Sequence, residues 1–107
     1  MSIFSKKALR NKIDFLVKNH NIDKYSVVLG LSYVQYCKNI NRENLSDYTL
    51  CAIILANKYL NDYYYNIHDM TSSLDIPIQR YKNIELELLN KLSYNLRPSF
   101  ITSISTN

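Results

Sequence analysis

The segment SDYTLCAIILANKYL, residues 46–60, decides the fold. Between Tyr48 and Leu60 only Thr49, Asn57 and Lys58 are clearly polar. A helix that is apolar nearly all round must have neighbours on several sides. The stretch therefore reads as the central helix of a bundle, capped by Ser46 and ending near Leu60. Its apolar run, Leu50 to Ala56, falls far short of the roughly 20 residues a membrane-spanning helix needs.

Working outward, helical periodicity recurs on both sides. On the N-terminal side, Leu9, Ile13, Leu16 and Val17 repeat at helical spacing between lysines, which predicts an amphipathic helix from about Ser5, as cap, to Asn19. Asp23 can cap a second helix reaching Lys38, with Val27, Val28, Leu31, Tyr33 and Val34 leaving little polar surface. Gly30 in its middle costs about 1 kcal/mol against alanine as a helix former, and its expected use is the close approach of a neighbouring helix. Asn39 to Asn44 is a polar loop. On the C-terminal side, Asp62 to Asn66 is expected as a turn and Ile67 to Leu74 as a short fourth helix. Pro77 opens a fifth at the N1 position, where its missing N–H costs nothing. This helix is expected to run from Ile78 to about Tyr94, with Arg97-Pro98 as its stop. The whole is an all-α, five-helix bundle around the third helix, occupying residues 1–98, with a polar tail over 99–107.

Composition agrees with that architecture and excludes several function classes. The chain of 107 residues holds one glycine and two prolines, too little punctuation for a meander of strands. Apolar residues make up 47% and charged residues 21%, a globular balance. Cys37 and Cys51 are the only cysteines, no Cys-x-x-Cys pair exists, and His20 and His68 lie far apart in sequence. Metal-site spacing is absent, and Cys51 reads as a core residue. No phosphate-gripping glycine loop or nucleophile elbow is present. His20 reads as an exposed helix-end residue and His68 as a surface one. The chain is therefore read as a non-enzyme with no cofactor and no metal. Both thiols fit a reducing setting, and no apolar stretch follows Lys6 and Lys7, so the expected location is cytoplasmic or nuclear. The net charge of +4 arises partly from Lys6, Lys7, Arg10, Lys12 and Lys18. Such a stretch can attract nucleic acid or an acidic partner, or simply form a solvated helix face.

Two charges stand where the apolar pattern does not ask for them. At about 100° per residue, Leu89, Leu92 and Leu96 fall within roughly 40° of Glu85. Ile84 and Leu88 flank that stripe, while Glu87 and Lys91 form an i,i+4 surface pair on the far side. Lys58 likewise shares a helix face with Cys51, Ile54 and Leu55. A charge among apolar neighbours is costly unless it is paired. Either Lys58 and Glu85 form an internal ion pair or each snorkels at the core edge, or both mark a patch that another protein covers.

The segment TLCAIILANKYLNDYYYN, followed by IPIQRYKNIELELLNKLSYNL, resembles the third and fifth helices of a cyclin box. The small-residue, lysine, aromatic step is Ala56-Asn57-Lys58-Tyr59. The glutamate with trailing leucines and an aromatic-x-Leu ending is Glu85, Leu88, Leu89, Tyr94 and Leu96. The tract Leu60 to Asn66 is most similar to the Pho-type and P/U-type cyclins of fungi, protists and plants. The resemblance is specific from about Leu50 to Leu96; before that it rests on helix lengths. Gln35-Tyr36 replaces the Asp-Arg step of many cyclins, and the first helix lacks the apolar substrate-docking motif of the cell-cycle A-type. No second cyclin box follows. The resemblance implies a regulatory subunit that binds and activates a cyclin-dependent protein kinase by docking the kinase's C-helix and the loop before it. The implied contact set is Leu55, Lys58, Tyr59, Glu85, Leu89, Tyr94 and Leu96. A second reading is a cyclin-box-like helical module that binds nucleic acid, the fold also being used by transcription factors of the IIB class. Against it, Asp14 interrupts the lysines and no recognition-helix signature appears.

Overall fold

The computed structural model describes residues 2–37, 40–61 and 67–96, with side chains from residue 7 onward. Five α-helices occupy these residues: α1 (Ser2–Asn19), α2 (Lys24–Tyr36), α3 (Leu45–Leu60), α4 (Ile67–Ser73) and α5 (Ile78–Lys91), with a 3-10 turn at Arg42–Asn44. No strand occurs among the described residues. The expected turn over 62–66, the Arg97-Pro98 stop and the polar tail lie outside them.

Among the described elements, α3 is the hub, packing against α1, α2, α5 and the 3-10 turn. Every residue from Tyr48 to Asn57 is buried, as a helix apolar on all sides requires. Leu16 of α1, Leu29 and Tyr33 of α2, and Tyr81, Ile84 and Leu88 of α5 close the core around it. Leu9 and Ile13 pack at its edge, so the apolar stripe of α1 faces inward. Lys7, Arg10 and Lys18 stand on the exposed side. Among the described residues no helix is long and apolar enough to cross a membrane.

Among the described elements, α2 and α3 share the most extensive seam. A Cβ on Gly30 would lie 2.5 Å from Ile53 Cα and 2.7 Å from Ile53 N. That approach is possible only without a side chain, so the helix-propensity cost at position 30 is the condition for this packing. Farther along the seam Ser26 Oγ donates to Asn57 Oδ1 at 3.0 Å, which gives the buried amide of α3 a partner on α2.

Helix ends depart from the expectation in physically readable ways. Asp23 does cap α2: its Oδ1 accepts the Ser26 N–H at 2.7 Å. Ser5 lies inside α1, which begins at Ser2. Ser46 lies inside α3, whose start is set by the 3-10 turn leading into Leu45. Pro77 precedes the first helical residue of α5 as its N-cap. At its other end α5 stops at Lys91, three residues short of Tyr94 (94 − 91). There Ser93 N–H bonds to Asn90 O at 3.1 Å and Tyr94 N–H to Leu89 O at 2.7 Å. This is a Schellman turn with serine in the left-handed position usually held by glycine.

Two pairings also differ. Glu87 and Lys91 form no ion pair; Glu87 Oε1 accepts the Tyr48 hydroxyl from α3 instead. His20 is half-buried, with Nε2 3.2 Å from Ser73 Oγ on α4. Ser73 gives its own hydroxyl proton to Met70 O, so the histidine is the donor in that contact. The pattern around His20 is local, whereas its partner lies in a distant helix, which is why it read as free.

Candidate functional site

Helix α3 leaves the core at its last turn. Leu55 is still 3% exposed, while Tyr59 is 44% exposed. There the half-buried face of α5 lies alongside it. An open groove of about 440 Å³ runs between them, lined by Leu55, Lys58, Tyr59, Glu85, Leu89 and Leu96. Leu55, Leu89 and Leu96 supply apolar walls, and Lys58 and Glu85 supply charge.

The two charges meet. Lys58 Nζ lies 3.1 Å from Glu85 Oε2, with side-chain exposures of 54% and 19%. The carboxylate is held from its other side by Tyr81, whose hydroxyl donates to the same Oε2 at 3.1 Å. Burial, reinforced by the Glu85 charge, pushes the Tyr81 phenol well above the ordinary tyrosine range, so it stays a donor. The two charges therefore pair, but not as the internal ion pair that the sequence offered as one alternative. The lysine is too exposed for the pair to be an internal one, and an exposed ion pair contributes only about 0–1 kcal/mol to stability. Neither charge is at the centre of a buried stripe. On α5 that centre is Tyr81, Ile84 and Leu88, and Glu85 stands at its margin. On α3, Lys58 is the first residue past the buried run.

Chemically the groove suits a protein surface. Lys58 has ammonium protons left for carbonyl acceptors, and Tyr81 and Lys58 converge on Oε2, leaving Oε1 to them unused. Among the described residues no group of His, Cys, Asp or Glu side chains could hold a metal ion.

The remaining residue of the expected set, Tyr94, does not line the groove. It is 61% exposed and sits past the Schellman turn with φ 59°. Leu96 does line it, but not as part of the α5 stripe; the turn at Ser93 and Tyr94 brings it back. Ser93, φ 54°, and Tyr94 are both left-handed, and such non-glycine residues cost of order 1–3 kcal/mol each unless the surroundings hold them. What holds this turn from the core is Tyr33, a fully buried α2 residue whose hydroxyl donates to Leu96 O at 2.7 Å. Sequence reading missed Tyr81 and Tyr33. The first was legible, since Tyr81 precedes Glu85 by one i,i+4 step. The second carried no local signal.

No family model, curated protein or solved structure matches this chain.

Proposed function

We propose that this chain is a cyclin-type regulatory subunit, arranged as a cyclin box, which binds a cyclin-dependent protein kinase through the groove between α3 and α5. The observation that carries the reading is a convergence. Lys58 and Glu85, 27 positions apart, were singled out from the sequence and meet at 3.1 Å on the rim of an apolar groove. Leu55, Tyr59, Leu89 and Leu96, implied by the same resemblance, line it with them.

In this reading the kinase's C-helix lays apolar side chains against Leu55, Leu89 and Leu96. Lys58 donates to backbone carbonyls of the kinase, and Glu85 accepts from its backbone N–H groups, which fixes register. Charge-assisted hydrogen bonds in a desolvated interface are the strong kind. An inactive kinase holds its C-helix outward and breaks the lysine–glutamate ion pair that phosphoryl transfer needs. A subunit that binds the inward form more tightly shifts the population toward it. The chain itself does no chemistry.

The test is co-purification of a tagged chain from its native cell, identification of the kinase, and reconstitution with that kinase purified. Lys58→Glu and Glu85→Lys should each weaken binding by about 2–5 kcal/mol, roughly 30-fold or more, while the domain stays folded. The double exchange separates two roles for the pair. If its role is only to bridge α3 and α5, swapping the charges restores binding; if it faces the kinase backbone, the inverted polarity does not. Full binding by both single variants removes the reading.

A further inference from the structure

The wall of the groove formed by Leu96 is built in an unusual way. The chain reaches Leu96 through two successive left-handed residues, Ser93 and Tyr94, neither of them glycine. The turn's own backbone bonds, Tyr94 N–H to Leu89 O at 2.7 Å and Asn95 N–H to Leu92 O at 3.0 Å, tie it to the end of α5. Leu96 packs against the core, and its backbone is tied there by the Tyr33 hydroxyl, which crosses from α2 to Leu96 O, 63 positions away. A buried phenol must find an acceptor, and a buried hydroxyl without one is unfavourable. Here the acceptor is the backbone of a groove residue. Helix α2 and the post-helix turn therefore meet at Leu96, one of the residues lining the groove.

We propose that Tyr33 is a positioning residue for the docking surface: it holds Leu96 in place as the groove's far wall without itself lining the groove. The proposal rests on the kinase-docking reading. Tyr33→Phe keeps the ring in the core and removes only the donor, so the turn is left to its own strained geometry. Its consequence should be local. Amide exchange at Tyr94 and Asn95 should rise about five- to tenfold, the equivalent of one ordinary hydrogen bond. Exchange at Leu50 and Leu88 should keep the ratio set by global stability.

The experiment measures those amides by NMR, and titrates Tyr33→Phe with the purified kinase recovered by the wild-type chain. Binding should weaken about five- to tenfold. Adding Ser93→Gly to the Tyr33→Phe background should return both protection and affinity, because glycine takes the left-handed conformation without the Cβ penalty. A merely structural loss in the core would not be rescued from the turn. Unchanged kinase affinity in Tyr33→Phe overturns the proposal and leaves the docking reading standing. Lost affinity with an unchanged turn, or without rescue, overturns it too. A wild-type chain that binds no kinase sinks the docking reading, and the proposal with it.

Discussion

Helix α3 shows two different faces. Toward α2 it is closed so tightly that position 30 has no room for a Cβ. Toward the second half of α5 it stands away and leaves a groove of about 440 Å³. The first face has no capacity left for a partner, and the second has apolar walls and a half-exposed charge still to be covered. One helix thus divides its length between a closed seam and the wall of an open groove. Substitutions on the two faces should fail in different assays.

The largest stability effect belongs to the buried run of α3, Tyr48 to Asn57. Ile54, 1% exposed, sits midway along the buried run. Ile54→Ala should lower stability by about 2–5 kcal/mol, read from a denaturant or thermal melt. A melt like that of wild type would mean that α3 is not the hub. Gly30→Ala should come next, at about 1–3 kcal/mol destabilising, although alanine is the better helix former. The Cβ would meet Ile53 backbone, which cannot swing aside as a flexible side chain could. A gain in stability there would show that α2 and α3 do not approach as described.

The same buried run predicts an alkaline weakness. Burial pushes the Cys51 thiol from 9.0 up to about 12, with the Asp47 charge adding to it. The folded state therefore keeps a proton that the unfolded chain releases above pH 9. The stability contributed by the neutral thiol is intact below pH 9 and is lost as pH rises toward 12. By pH 10 the loss should be roughly 1 kcal/mol. Comparing wild type with Cys51→Ala at pH 7.5 and pH 10 isolates it, since the alanine variant should decline less between the two. Tyr48, pushed up to about 12 by burial and by its bond to Glu87, adds to the decline only above pH 10.

The smallest stability effects are expected on the open face. The charge reversals at Lys58 and Glu85, which the proposed kinase docking makes decisive for binding, should change stability by only about 0–1 kcal/mol, as for other exposed ion pairs. Melting temperatures that drop as far as for Ile54→Ala would erase the distinction between the buried run of α3 and the rim of the groove.

Most of the helical architecture was legible. The buried run of α3 follows from composition alone, because no arrangement leaves so long an apolar helix in water. The Asp23 cap, the short α4 and the need for close packing at Gly30 were legible too, since each signal lies within a few residues. The ends of α1, α3 and α5 were not. Serine marks a cap only if the chain actually turns there, and α5 stops in a left-handed turn without the glycine that normally announces one. The groove was half legible. Helical spacing puts Leu55 on the face of Lys58 and Leu89 on that of Glu85, while their grouping into one surface was implied by the resemblance alone. Leu96 was grouped with them as though α5 continued, but it arrives by a turn.

By itself, the sequence determined which segments are helices and which helix must be central, because both depend on local periodicity and on the cost of wetting apolar surface. Only the tertiary structure decided that Lys58 meets Glu85 across 27 positions and that Tyr33 reaches Leu96 across 63. Those contacts depend on how helices cross and where a turn redirects the chain, and no pattern within a single segment carries that information.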